Sequence, residues 1–208
     1  MTGSQLHRML AAVLPSAATE ALLPPLNAVH LETGPAGAYA VATDRYTLAV
    51  ARHADPSPRR DCAQITIPRA AALTMLKLTR RRDPVAALRI SGGQATVRIA
   101  GGITYKTPGI DARYRYPDWR RLLRGLLAAP DAPAGQPLDL NPAYLARFAA
   151  AAADLHVSIR QIPGQRCRTL VITAGDWFAG ALMAKAETGR ATAGPGGWLA
   201  DLSPVRAA

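Results

Sequence analysis

The sequence predicts an α+β fold of repeated helix-plus-antiparallel-sheet half-units. Two observations carry that expectation. Runs of alternating apolar and polar residues, the two-residue period of a half-buried strand, recur between Gly and Pro turn signals. Segments with apolar residues at three- and four-residue steps stand among them, and the order of a helix followed by strands occurs three times. With 208 residues, 49% of them hydrophobic, the chain is long enough to bury a sizeable core.

The first unit opens with "MTGSQLHRMLAAVL". Ser4 is a candidate N-cap, Leu6, Met9, Leu10, Val13 and Leu14 form the apolar stripe, and Pro15-Ser16 ends the helix. "LNAVHLET" (Leu26–Thr33) and "AYAVATDRYTLAVA" (Ala38–Ala51) read as strands divided by Gly34-Pro35-Ala36-Gly37. The second of these is broken in its middle by Thr43-Asp44-Arg45-Tyr46-Thr47, which presents a basic and an aromatic side chain at the break. The loop "HADPSPRRD" follows. The second unit has a strand "CAQITI" and a helix with Pro68 at its first position, where the missing N–H would be unpaired anyway, running to near Arg82. Strands "VAALRI", "ATVRIA" and "ITYKTPG" come next, the first two joined by a Gly92-Gly93 turn. "AAPDAPAGQP" (Ala128–Pro137) has the composition of a linker. The third unit reads as a strand "LDL", a helix with Asn141 as N-cap and Pro142 at N1, and strands "HVSIRQI", "RTLVITA" and "WFAGALMAKA". Tyr144, Leu145, Phe148, Ala149 and Ala152 are expected on one face of that helix. Residues 188–208 read as a flexible tail whose "GWLADLSP" is a candidate to fold back or to dock on a neighbour.

Lys and Arg total 25 against 14 acidic residues, a formal charge of +11. Residues 1–125 hold 18 cations and 8 anions, residues 126–208 hold 7 and 6, so any polyanion surface is expected in the first part. A polyanion partner and a compositional bias toward Ala, Arg, Gly and Pro account for the charge equally well. The four His residues lie in different units without ligand spacing, and neither a Ser/His/Asp pattern nor a phosphate loop is present, so no enzyme, metal or cofactor is expected. Cys62 and Cys167 have neither metal spacing nor the density of a disulfide scaffold, which suggests a reduced compartment. No stretch reaches the roughly 20 apolar residues of a membrane span, so a cytoplasmic protein without a membrane partner is expected.

Four segments in one order resemble the bacterial sliding clamp, the β subunit of replicative DNA polymerase: "PPLNAVHLE", "VATDRYTLAV", "ITIPRAAALTMLKL" and "YRYPDWRRLL". "LDLNPAYLARFAAAAADLHVSIRQI" and "LVITAGDWFAGALMAKA" look like the last helix and final strands of a clamp. The resemblance implies a clamp-like domain over residues 1–127, similar to the central clamp domain, and a linker over 128–137. It further implies a partial domain over 138–187, similar to the C-terminal half of the last clamp domain, and then the tail. One full domain plus an unpaired half leaves a sheet edge open to a second copy, which implies a homo-oligomer. In such a protein helices face duplex DNA and sheets form the outer wall. Arg8, Arg69, Lys77, Arg80, Arg81, Arg82 and Arg147, on the three expected helices, are the candidates for phosphate contact.

The resemblance also implies a hydrophobic groove for a short partner peptide, formed here by Leu26, Thr43, Arg45, Tyr46, Thr47, Leu48, Pro117, Arg121, Leu122 and Met183. The chain departs from the family there. Arg45 stands in place of the glycine after Thr-Asp, Thr47 in place of a basic residue, and Met183-Ala184-Lys185-Ala186 in place of the terminal M-P-M-R. The function implied is a non-enzymatic processivity or scaffold protein that tethers DNA polymerase or other clamp-binding proteins to duplex DNA. The alternative is a non-encircling relative that acts as an adaptor or decoy for clamp-binding proteins.

Overall fold

The computed structural model describes residues 1–54, 62–79, 86–99, 102–133, 138, 140–152, 156–163 and 168–184. The chain order is α1 (Gly3–Val13), a 3-10 turn (Leu14–Ser16), β1 (Ala28–Gly34), β2 (Gly37–Thr43), β3 (Thr47–His53), β4 (Ala63–Pro68) and α2 (Arg69–Leu78). There follow β5 (Ala86–Ser91), β6 (Gln94–Ile99), β7 (Thr104–Pro108), α3 (Trp119–Ala128), α4 (Pro142–Leu145), a 3-10 stretch (Ala146–Ala152), β8 (Ser158–Ile162), β9 (Thr169–Ala174) and β10 (Phe178–Met183).

A seven-stranded sheet has the order β4-β1-β2-β3-β10-β9-β8, and a second sheet has the order β5-β6-β7, with antiparallel pairing throughout. The β3–β10 pairing, from Phe178 opposite Ala51 to Leu182 opposite Thr47, joins the first unit to the third. One core spans all three units. Leu6, Leu10 and Val13 of α1 pack with Val29, Leu31 and Ile67, with Met75 of α2, with Leu88 and Val97 of the smaller sheet, and with Phe148, Ile172 and Leu182. The strand residues beneath α1 are small, Ala40, Ala42, Ala49 and Ala51, which lets the helix lie close to the sheet. Gly180 serves the same purpose farther along. A Cβ there would meet the Phe148 ring at 2.5 Å and the Leu48 carbonyl oxygen at 3.0 Å. The opposite face of the large sheet has a smaller cluster, Val41, Leu48, Val50 and Ala181, covered by Trp119 and Leu123 of α3.

Several elements differ from the sequence expectation. Thr2, not Ser4, caps α1. Its hydroxyl accepts Gln5 N–H (3.2 Å) while Gln5 Oε1 accepts Thr2 N–H (2.6 Å), a reciprocal pairing that Ser4 is too far inside the first turn to make. The interruption at Thr43–Thr47 is a hairpin turn between two strands and not a break within one. Pro68 is the N-cap of α2 rather than its first residue, and the helix ends at Leu78, where the Thr79 hydroxyl bonds back to Met75 O (2.8 Å), short of Arg82. α3 is a helix that the sequence reading left unassigned. Leu138 and Leu140 pack against the core without forming a strand, and Asp139 lies outside the described residues. Asn141 caps α4 through Ala143 N–H (2.9 Å), but the α-helix lasts only four residues before the backbone tightens to three residues per turn. That change of period buries Phe148 and Ala151, three apart, while Leu145 and Ala149 stay exposed. The tail 188–208, residues 134–137 of the linker, Cys167 and Arg80–Arg82 lie outside the described residues. Among the described residues no helix is long and apolar enough to cross a membrane, and no His/Cys/Asp/Glu cluster could hold a metal.

Candidate functional site

Side chains two apart on a strand share a face. Thr43 of β2 is opposite Leu48 of β3, Leu48 is opposite Ala181 of β10, and Met183 lies two residues beyond Ala181 on the face that α3 covers. Met183 N–H donates to Tyr46 O (2.9 Å), which fixes the end of β10 against the β2–β3 turn. α3 starts at an Asp118 cap that accepts Arg121 N–H (3.0 Å), and it sets Trp119 and Leu123 down on the sheet. The result is a floor of Leu48, Ala181 and Leu123, flanked by apolar groups left in solvent. Leu48 is 3% exposed, whereas Tyr46, Met183 and Leu122 are 49%, 43% and 52% exposed. Pro117 and Arg121 are exposed at the start of α3. Strand pairing therefore places Thr43, Leu48 and Met183 on the α3 side of the sheet, with Tyr46 in the adjoining β2–β3 turn and Leu122 exposed on α3. Thr47, in contrast, is buried within the turn network, and Leu26 is buried where the chain enters β1, outside the cluster under α3.

The turn is tightly fixed. Asp44 Oδ1 accepts Tyr46 N–H (3.0 Å), Thr47 N–H (2.8 Å) and the Thr47 hydroxyl (2.9 Å), and the Thr43 hydroxyl donates to Thr47 O (2.7 Å). Arg147, from the 3-10 stretch, pairs with Asp44 Oδ2, donates to the Thr47 hydroxyl (3.0 Å) and lies over the Tyr144 ring (4.4 Å). Tyr144 stacks on Tyr46 with ring centroids 5.7 Å apart. Burial by itself would raise the Asp44 carboxyl, but the hydrogen bonds from Arg147 and Thr47 and the Arg147 charge outweigh it and hold Asp44 below the usual aspartate range. Within this turn Arg45 has φ 81°, in the left-handed region.

A second polar cluster anchors α3, and no sequence motif pointed to it. Glu32 of β1 accepts His30 Nε2–H (3.0 Å) and Trp119 Nε1–H (3.0 Å) and pairs with Arg120. His30 stacks on Tyr116 at 4.7 Å, and the Tyr116 hydroxyl donates to Val41 O (3.2 Å). Burial opposes the Glu32 charge, yet the three side-chain hydrogen bonds and Arg120 together hold its carboxyl down at about 2. Burial alone pushes the Tyr116 phenol up. A cavity of about 580 Å³ adjoins this cluster, lined among others by Gln64, Thr66, Tyr114 and Arg115. The available signal was Asp118 directly before a leucine-rich, Arg-rich run, which marks a capped amphipathic helix.

The expected DNA-facing cations are dispersed. α1 and α2 lie side by side, with His7 Nδ1 3.0 Å from Leu76 O. Arg8 and Lys77 are exposed on that layer, Arg8 over the Trp177 ring at 3.8 Å, and Arg69 is half-buried at the start of α2. Arg147 is not a free member of that layer, because its guanidinium is committed to Asp44.

Residues 1–118 match the family described as DNA polymerase III beta subunit, central domain. Among solved structures, the chain resembles the DNA polymerase III subunit beta of Pseudomonas aeruginosa with a TM-score of 0.72 and 17% identity, covering 89% of this chain and 65% of that one. The beta subunit from Thermotoga maritima gives 0.70 and 14%, covering 89% and 64%, and the sliding clamp from Bacillus subtilis gives 0.69 and 13%, covering 89% and 63%. The chain thus spans about 65% of the length of the structure it matches in Pseudomonas aeruginosa. No curated protein sequence matches it.

Proposed function

From the premise that the chain belongs to the family of the DNA polymerase III beta subunit, central domain, and has the sliding-clamp fold, we propose that it is a non-catalytic clamp-like scaffold. In this reading it holds DNA polymerase or other clamp-binding proteins on duplex DNA. The partners dock a short peptide on the face beneath α3, burying apolar anchors against Leu48, Leu122 and Met183. The observation that carries this reading is the buried floor of Leu48, Ala181 and Leu123, with exposed Met183 beyond Ala181, exposed Leu122 on the covering helix, and Tyr46 in the ordered turn bonded to Met183. Exposed apolar groups held in place around a floor are the arrangement of a binding surface rather than of scattered solvent contacts.

The layer of α1 and α2 is the proposed DNA side. Arg8, Arg69 and Lys77, with Arg80–Arg82 following in sequence, would neutralise phosphates without reading bases, which a sliding protein requires. The smaller sheet ends at β7, a strand edge on which a second copy could pair. Duplex binding measured between about 50 and 200 mM salt tests the reading, since affinity should fall steeply with salt and be lost on replacing Lys77 and Arg80–Arg82 by Gln. The commitment of Arg147 to Asp44 removes one cation from the helix layer and favours a second reading, a non-encircling adaptor for clamp-binding proteins. Peptide binding without salt-sensitive duplex binding would select that reading and reject the first.

A further inference from the structure

We propose that Thr66 is a modification site, a hydroxyl that takes the acyl group of a small activated ester with His30 as its base. The inference is independent of the docking and DNA readings. It begins with strand register. β1 and β4 pair with His30 opposite Thr66 and Glu32 opposite Gln64, so these four side chains share the face of the sheet on which Trp119 reaches Glu32. Arg69 N–H donates to Asn27 O (3.1 Å) and Ile110 N–H to Thr66 O (2.8 Å). His30 and Thr66 are therefore one of the antiparallel pairs whose backbone groups turn away from each other and whose side chains stand closest. Thr66 Oγ1 accordingly lies 2.9 Å from His30 Nδ1, and His30 Nε2 lies 3.0 Å from Glu32 Oε1. No sequence pattern announces the set, because His30 and Thr66 are 36 residues apart.

The proton positions follow from the carboxylate. Glu32 is ionised, its carboxyl held at about 2, so its oxygens only accept and His30 Nε2–H is the donor. In the neutral ring this leaves the Nδ1 lone pair for the Thr66 hydroxyl, the hydrogen bond of a nucleophile to a base that a third group orients. The ring is held in place. It stacks on Tyr116 with an interplanar angle of 11° and is 7% exposed. Anchoring of α3 accounts for the contacts of Glu32 with Trp119 and Arg120, but not for the Thr66 hydroxyl, whose hydrogen-bond partner among the described residues is His30. Thr66 and His30 line the cavity of about 580 Å³, large enough for a small ester, and Gln64 and Arg115, which also line it, carry N–H donors for a carbonyl oxygen. In the reaction Thr66 Oγ attacks the carbonyl carbon and its proton passes to His30 Nδ1. The bond from that carbon to the leaving oxygen then breaks, and the leaving alkoxide takes the proton from Nδ1. The products are a Thr66 ester and the free alcohol, and Glu32 faces the positive ring in between.

The test uses the full chain and p-nitrophenyl acetate, with nitrophenol release followed by absorbance and the acetylated residues located by peptide mass mapping. Hydroxylamine cleaves esters and leaves acetyl-lysine amides, so it isolates the hydroxyl label. Thr66 should be acetylated about 100-fold faster than the exposed Thr104 of β7. T66S should keep the reaction and T66V should lose it, while H30Q should slow it by about 100-fold. Glu32 is a positioning residue, so E32Q should lower the maximal rate with the half-saturating ester concentration unchanged. H30Q is read beside its unfolding midpoint, and if it does not fold, T66S and T66V decide, since both retain His30 and Glu32. Acetylation confined to lysines and the N-terminus, equal rates at Thr66 and Thr104, or an unchanged Thr66 rate in folded H30Q or in E32Q overturns the proposal.

Discussion

The two faces of the seven-stranded sheet are held by different forces. Beneath α1 and α2 the contacts are apolar and closed to solvent, as with Leu6, Leu10, Leu31, Ile67 and Met75. Beneath α3 the apolar cluster is small, and position is set by directional polar groups, Glu32 with Arg120 and Trp119, while Asp44 with Arg147 fixes the β2–β3 turn at the end of the sheet. Packing stabilises in proportion to buried area, so it suits a face that is always covered. Hydrogen bonds and ion pairs can fix side chains that must remain uncovered, and this is how Tyr46 is held in place by Tyr144 and a carboxylate-locked turn.

The contrast is broken most severely by truncation under α1. Leu10→Ala should lower stability by about 2–5 kcal/mol in denaturant unfolding, whereas Leu122→Ala, half exposed on α3, should change it by less than about 1 kcal/mol. Comparable losses in the two variants would erase the distinction between the faces. Next in size, Met183→Ala should weaken peptide binding by roughly 1–3 kcal/mol with the unfolding midpoint retained. Leu48→Ala should weaken it similarly while also costing stability, because Leu48 is floor and not rim.

Acid should separate the faces as well. The folded Glu32 carboxyl is held at about 2, below its unfolded value near 4.5, so its contribution is fully present above about pH 4.5 and is lost as pH falls toward 2. Asp44 acts in the same direction. Tryptophan fluorescence should therefore report loosening around Trp119 over that window, and Glu32→Gln should abolish this part of the pH dependence. An unchanged acid profile in Glu32→Gln would remove the anchor from the account. The smallest effect concerns the turn itself, where Arg45→Gly should raise stability by about 1 kcal/mol by relieving the left-handed backbone.

Most of the strands were legible because each alternates over five to seven residues between strong turn signals, as "AYAVAT" and "TLAVA" do. The site was legible only in part. Strand pairing sets Thr43 opposite Leu48 and Leu48 opposite Ala181, and Met183 N–H meets Tyr46 O, while a role for these residues as a peptide groove comes from the resemblance alone. Arg147 was read from helix position as a phosphate contact, but its role depends on Asp44, 103 residues away in sequence, and such pairing leaves no local pattern. The Glu32 cluster was invisible for the same reason, with partners 87 and 88 residues distant. The third helix misled because its first turn is α-helical and its continuation is not, so a 3.6-residue stripe selected Leu145 and Ala149 where a three-residue step buries Phe148 and Ala151.

Hydrogen exchange with and without a saturating short peptide carrying leucine and phenylalanine anchors tests the division of labour between the faces most directly. The account predicts added protection at residues 43–48, 117–123 and 181–183, with the amides of α1 and α2 unchanged. Protection concentrated in α1 and α2, or spread evenly over both faces, would contradict it.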